Sequence, residues 1–288
     1  MKYGIFVPTQ SPHFHADYLH TVAAECEARN YHSIWLAEHV VLFDEYASSY
    51  PYELDGKFPI TDERSLLEPF TTLAFLSART ERIRLGTGIC LVPQRNPVYT
   101  AKEVANLDWL SNGRFDFGVG VGWLEEEFQA LGMPFARRGQ RCRSYLEVMR
   151  RLWCDDLSSY RDEFYELPEC RQYPKPIQQP HPPIHFGGES DAALRRVADI
   201  GQGWYGFNLD PDAFAERVQR LTGMLDKNGR PRQEIEISLC PYNQEVDAKR
   251  LAAYQAAGAD QVILIVLAGN ESKFRRKLDA IDAMIASV

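Results

Sequence analysis

Apolar positions along the chain fall into two rhythms. Short runs that are largely apolar on both faces lie at residues 2–7, 33–37, 83–92, 114–119, 184–186, 203–207, 234–239 and 261–267. Such runs predict strands buried from both sides, as parallel strands are. Between them, apolar residues recur at three- and four-residue spacing. Leu19, Val22, Ala23 and Cys26 form one such stripe, and Val98, Ala101, Val104 and Ala105 another. Tyr145, Leu146, Met149 and Leu152 continue the series on a helix expected over residues 141–153, as do Leu194, Val197 and Ala198 after it. Phe214, Val218, Leu221 and Leu225, and then Phe274, Leu278, Ile281 and Ile285, complete it. These stripes predict amphipathic helices. The punctuation agrees. Asn96-Pro97 and Asp210-Pro211 are helix openings, with a capping side chain followed by proline. Gly113, Gly201 and Gly258 stand where helices should stop.

Residues 82–131 contain strand, helix and strand in succession, which makes the two strands parallel neighbours. Repeated along the chain without an internal repeat or linker, this alternation predicts a single α/β domain, a (β/α)8 TIM barrel. An open doubly wound sheet is the alternative that strand count leaves standing. Two stretches interrupt the alternation. Residues 40–66 are irregular and carry Phe43, Tyr46, Tyr50, Tyr52 and Phe58. A loop of that length in a compact domain is a lid or binding loop, and aromatics argue against a disordered insertion. Residues 155–183 are rich in proline and are expected to form an irregular hairpin outside the barrel.

Composition narrows the class. The chain has 288 residues, 45% hydrophobic and 25% charged, which suits one barrel domain. A net charge of −8 argues against nucleic acid as a partner. No apolar run is long enough to span a membrane, and the N-terminus reads as a first strand rather than a signal peptide. The 6 cysteines are scattered without a C-x-x-C pair, so they read as reduced, in a cytoplasmic protein.

In parallel α/β folds the carboxyl ends of strands carry the ligand. Three candidates lie there. Glu38-His39 follows the second strand, and an imidazole can act as acid, base or hydrogen-bond donor, or be merely structural. Gly86 and Gly88 end the third strand, and Gly118, Gly120 and Gly122 the fourth. Glycines there serve either tight turns or close approach of backbone to a ligand. Gly187-Gly188-Glu189-Ser190 joins the fifth strand to a helix, which suits either a phosphate or a plain capped turn. The spacing Gly118-x-Gly-x-Gly122 is not a dinucleotide fingerprint, since Trp123 stands where the third glycine should fall. His13 and His15 form an H-x-H pair of the kind used by metal-dependent barrel hydrolases, without an evident complement of further ligands.

Several of these pieces together resemble the bacterial luciferase-like family of flavin- and F420-dependent oxidoreductases. They are Leu85-Gly86-Thr87-Gly88-Ile89, Arg95-Asn96-Pro97, Leu107 to Ser111 with Gly113-Arg114-Phe115, and Gly118 to Trp123. The likeness extends over nearly the whole chain. It implies FMN or coenzyme F420 in the barrel mouth. It implies a catalytic His39 beside the cofactor ring, after the pattern of Trp35 and Glu38. Thr87, Gly88 and Ile89 would form a bulge behind the ring, with a cis peptide at Gly88–Ile89. Gly120, Val121, Gly122 and Trp123 would contact the cofactor, and Gly187, Gly188, Glu189 and Ser190 its phosphate. Val121 departs from relatives that carry a polar or cationic residue there. With FMN the reaction would be monooxygenation, fed by a separate flavin reductase. With F420 it would be hydride transfer, with His39 as proton donor or acceptor and Arg95, Arg137 and Arg138 as candidates for the acidic tail. A small organic substrate, apolar or aromatic by the lid's composition, and a homodimer complete the expectation. A flavin-binding protein without turnover and a metal-dependent barrel hydrolase are the competing readings.

Overall fold

Eight parallel strands close on themselves in the computed structural model, which describes residues 1–9, 15–59 and 66–288. In chain order the elements are β1 (Lys2–Phe6), α1 (Ala16–Ala28), β2 (Ser33–Leu36), α2 (Pro69–Ser77), β3 (Arg84–Thr87), β4 (Cys90–Leu91), α3 (Pro97–Leu110) and β5 (Phe115–Gly120). There follow α4 (Glu125–Ala130), α5 (Arg138–Cys154), β6 (Ser158–Arg161), β7 (Glu166–Cys170), β8 (Ile184–Gly187), α6 (Asp191–Ile200), β9 (Gly203–Phe207), α7 (Pro211–Lys227), β10 (Glu236–Cys240), α8 (Ala248–Ala256), β11 (Gln261–Ile265) and α9 (Glu271–Ile285). The sheet runs β3-β2-β1-β11-β10-β9-β8-β5, and pairing of β3 with β5 closes it. That closure is a TIM barrel and excludes the open doubly wound sheet.

Local chemistry fixes the helix starts. The Asn96 side chain accepts from Val98 N and Tyr99 N, and Pro97 fills the first helical position of α3. Glu68 does the same for α2 ahead of Pro69. Gly113 follows α3 at φ +75° and Gly258 follows α8 at φ +100°, conformations that favour glycine.

The barrel interior is layered. At the amino-terminal end Ser33 donates to Gln261 Oε1 at 2.6 Å, and Gln261 Nε2 donates to Ser238 at 3.0 Å. Above them lies Trp35, whose indole N–H donates to Ser33 Oγ at 2.7 Å. The indole needs room: a Cβ on Gly86 would meet it at 2.4 Å. Phe6, Tyr205, Cys240 and Ile263 pack with Trp35 toward the carboxyl ends. These side chains put a floor under the barrel mouth.

Three expectations change in detail. The run 83–92 is not one strand: β3 ends at Thr87, the Gly88–Ile89 peptide is cis as the resemblance implied, and β4 resumes the pairing with β5. Helix α5 starts at Arg138, where the apolar stripe pointed to residue 141. Within residues 155–183, β6 and β7 pair antiparallel, and Pro174 and Pro180 follow cis bonds. Residues 40–59 hold neither helix nor strand and cross the barrel mouth. Residues 60–65 of the predicted lid lie outside those described. No helix among the described residues is long and apolar enough to cross a membrane.

Candidate active site

A cavity of about 670 Å³ opens at the carboxyl ends of the strands. Its floor includes Phe6, Gly88, Ile89 and Tyr205, and the 40–59 segment covers it with Tyr50, Tyr52 and Phe58. The cover is built from aromatic contacts. Tyr50 lies 4.9 Å from Phe58 and 5.1 Å from Trp123, ring centre to ring centre. Tyr52 lies 4.8 Å from Phe207.

His39 enters this cavity from the end of β2. Its ring sits against Phe58 at 4.9 Å and edge-on to Trp123 at 5.8 Å. Nδ1 is 3.1 Å from Glu127 Oε2 on α4, and both side chains are nearly closed to solvent, 7% and 1% exposed. Glu127 Oε1 accepts from Val40 N at 2.6 Å. Among the described residues Nε2 has no hydrogen-bond partner, and His39 lines the cavity. Glu38 points the other way, as neighbours on an extended chain do. It accepts from Leu91 N at 2.6 Å and pairs with Arg95. Burial raises the Glu38 pKa, and the Arg95 charge opposes that rise.

The opposite wall is Gly187 to Ser190. A Cβ on Gly187 would meet Ile89 Cδ1 at 2.7 Å, and Gly188 adopts φ +101°. Ser190 Oγ accepts from Ala193 N and caps α6, which leaves its hydroxyl hydrogen free to donate. Glu189 is turned into the lid: it accepts from Tyr52 Oη and Phe207 N, each at 3.0 Å. Burial pushes its pKa up to about 7.

His39, Gly88, Ile89, Val121, Gly122, Trp123, Gly187, Gly188, Glu189 and Ser190 thus share one cavity. Thr87 and Gly120 do not line it. Thr87 is fully buried and its hydroxyl donates to Gly118 O at 2.7 Å. Gly120 faces Ile89, whose Cδ1 would lie 1.9 Å from an added Cβ. Both support the wall from behind. Of the three arginines singled out, only Arg138 reaches the cavity, donating to Gly122 O at 3.0 Å. Arg95 is engaged by Glu38, Glu68 and Glu103, and Arg137 pairs with Glu163 on the surface. His13 lies outside the described residues, and His15 caps α1 through Nδ1. Sequence reasoning missed Glu127, Tyr205, Phe207 and Tyr242. Glu127 stands in the acidic run Glu125-Glu126-Glu127 just past the glycine-rich strand end, the one local signal that pointed to it.

The family model for luciferase-like monooxygenases matches residues 1–284. The chain belongs to this family. An uncharacterised protein of Mycobacterium tuberculosis is 33% identical over 209 residues, 73% of this chain and 72% of its own. A pyrimidine monooxygenase of Allorhizobium ampelinum is also 33% identical, over 173 residues, 57% of this chain and 46% of that longer protein. Among solved structures, an F420-dependent secondary alcohol dehydrogenase in complex with an F420–acetone adduct superposes with a TM-score of 0.78 over 100% of this chain and 98% of its own. At 16% identity that likeness is one of fold. The chain is thus similar in sequence to a monooxygenase and in fold to an F420-dependent dehydrogenase.

Proposed function

We propose that the protein is an oxidoreductase that holds FMN or coenzyme F420 in the barrel mouth and acts on a small, largely apolar organic molecule. The observation that carries this reading is the arrangement of one cavity. A buried imidazole opens into it at one side, and a glycine-rich helix start lies at the other. The walls fit a flat ring with a phosphate. Gly88 and Gly187 leave bare backbone in the wall, because an added Cβ would meet Tyr205 Oη at 3.0 Å and Ile89 Cδ1 at 2.7 Å, and Ser190 offers a hydroxyl at the positive end of α6. Arg138 adds a cation at the rim. A volume of about 670 Å³ is in the range of cofactor sites.

When bound, the cofactor supplies the electron-accepting or electron-donating chemistry. The chain's own residues do the rest. Trp123, Tyr50 and Phe58 exclude water from His39. His39 Nε2 holds or transfers a proton at the reacting end. The whole chain acts as one domain, with residues 40–66 as its cover. A flavin-dependent trigonelline monooxygenase among the relatives and an F420-dependent dehydrogenase of the same fold support either cofactor. With FMN, a separate reductase would supply reduced flavin.

Fluorescence titration of the purified protein with FMN and with F420 tests this directly. Saturable one-to-one binding of one of them is expected. Absence of binding to both would remove the reading. Tight binding without any change in cofactor redox reactivity would leave a carrier rather than an enzyme.

A further inference from the structure

We infer that Glu127 is a positioning residue that fixes the tautomer of His39 and, through the same carboxylate, ties that tautomer to the seating of the lid. The inference rests on the reading of His39 as the proton-handling group.

The geometry is a divided carboxylate. Oε2 faces His39 Nδ1 at 3.1 Å, and Oε1 accepts from Val40 N at 2.6 Å and Val41 N at 3.4 Å. An ionised carboxylate only accepts, so the neutral ring must carry its hydrogen on Nδ1. Nε2 then faces the cavity as an acceptor. The other tautomer would set a nitrogen lone pair against a carboxylate oxygen inside a site that is nearly dry, where such a mismatch is costly. Trp123 and Phe58 bracket the ring, so it cannot escape the mismatch by turning freely.

The lid begins at the residue after His39. Its first two amides end on Glu127, and the next anchor is the adjacent carboxylate. Glu126 accepts from Ala47 N at 2.6 Å and from the Ser48 hydroxyl at 2.7 Å. Helix α4 therefore presents two neighbouring carboxylates with separate tasks. Glu126 holds the lid alone. Glu127 holds the lid and the ring together. A lid that lifts from Glu127 withdraws the amides that fix the carboxylate, and the imidazole loses its orienting partner in the same movement. Proton transfer is in this way confined to the closed state.

Glu127→Gln tests the inference, because glutamine keeps the shape and reverses one hydrogen bond. Its carbonyl can still accept from Val40 N, while its amide donates to Nδ1. The ring should then carry its hydrogen on Nε2. Long-range nitrogen–proton correlation spectra of nitrogen-15 histidine-labelled protein without cofactor read this directly. The parent should show the Nδ1–H form for His39 and Glu127→Gln the Nε2–H form. Turnover should fall by ~10²–10⁴-fold, the range for a misdirected general base, with cofactor affinity nearly unchanged. Glu127→Asp keeps a carboxylate and should retain the parent tautomer and recover part of the rate. Glu126→Gln should loosen the exchange protection of Ala47 and Ser48 and leave the His39 tautomer as in the parent. The same tautomer in parent and Glu127→Gln, or unchanged turnover in that variant, would overturn the role of Glu127. Loss of turnover in His39→Ala alone, with Glu127→Gln fully active, would overturn it while sparing the function proposed above. Normal turnover in both would remove that function's assignment of His39 as well.

Discussion

At the scale of single residues, the site depends on alternation. Glu38 and His39 are adjacent, yet one is spent inside the wall on Arg95 and Leu91 N and the other faces the cavity. That division was legible in the sequence, because neighbours on an extended chain point to opposite sides. The partner of His39 was not legible, since Glu127 lies 88 residues away and only the closed barrel brings them together. Thr87 shows the converse. It sits in a matching motif, but a hydroxyl pointing to Gly118 O serves the wall. His39→Ala should lower single-turnover cofactor oxidation or reduction by ~10²–10⁴-fold, as loss of a general acid or base does. Cofactor affinity should move little, because Gly187 to Ser190 lies across the cavity. Stopped-flow absorbance measures the first and fluorescence titration the second. Near-parental rates with cofactor bound would return His39 to a packing role.

At the scale of elements, strands and helices followed from periodicity because parallel strands are apolar throughout and barrel helices are apolar on one side. The exceptions have local causes. The break at Gly88–Ile89 is a peptide isomer, which no apolar pattern encodes. The early start of α5 carries no apolar residue: Arg138, Gly139 and Gln140 precede the stripe, and Arg137 ahead of them lies at φ +58°. The turn between β8 and α6 is where an element carries a titrating group. Glu189 is an ordinary carboxylate in the unfolded chain, and burial in the fold raises its pKa from 4.5 to about 7. The folded state therefore binds this proton more tightly, and its stabilising share is present in full below the unfolded value. That share is lost as pH rises through about 4.5 to about 7. Glu189→Gln stays neutral throughout. Relative to the parent, it should gain stability with rising pH across that window, on the order of 1–3 kcal/mol in all. Denaturant midpoints at about pH 4.5 and about pH 8 check this. An unchanged difference between the two proteins across the window would show that Glu189 ionises freely in the fold.

At the scale of the whole molecule, the lid connects parts of the barrel that the chain itself keeps far apart. On one side it rests on α4 through Val40 N, Ala47 N and Ser48. On the other, Tyr52 Oη donates to Glu189 after β8, and Asn208 after β9 donates to Tyr52 O at 3.3 Å. Asn243 after β10 donates to Glu53 at 2.6 Å. The cavity lies between these two sets of anchors, with Trp123 and Phe207 as its aromatic sides. The anchors are hydrogen bonds and ring contacts, with no helix or strand within residues 40–59, so the segment should open with a free energy below that of the barrel. A ligand that binds only the closed form adds RT ln(1 + [L]/Kd) to that opening, about 2.7 kcal/mol at a hundredfold excess over Kd. Amide exchange across residues 40–59 should therefore slow by roughly a hundredfold under those conditions. The barrel strands, already protected by global stability, should gain at most the same increment. Hydrogen-exchange mass spectrometry with and without cofactor measures both. Both anchor sets should respond together, Val40 to Ser48 on the α4 side and Tyr52 to Glu53 on the other, if the segment closes as one unit. Protection confined to one set would show a hinged flap, and none in either would show that the segment does not cover the bound ligand.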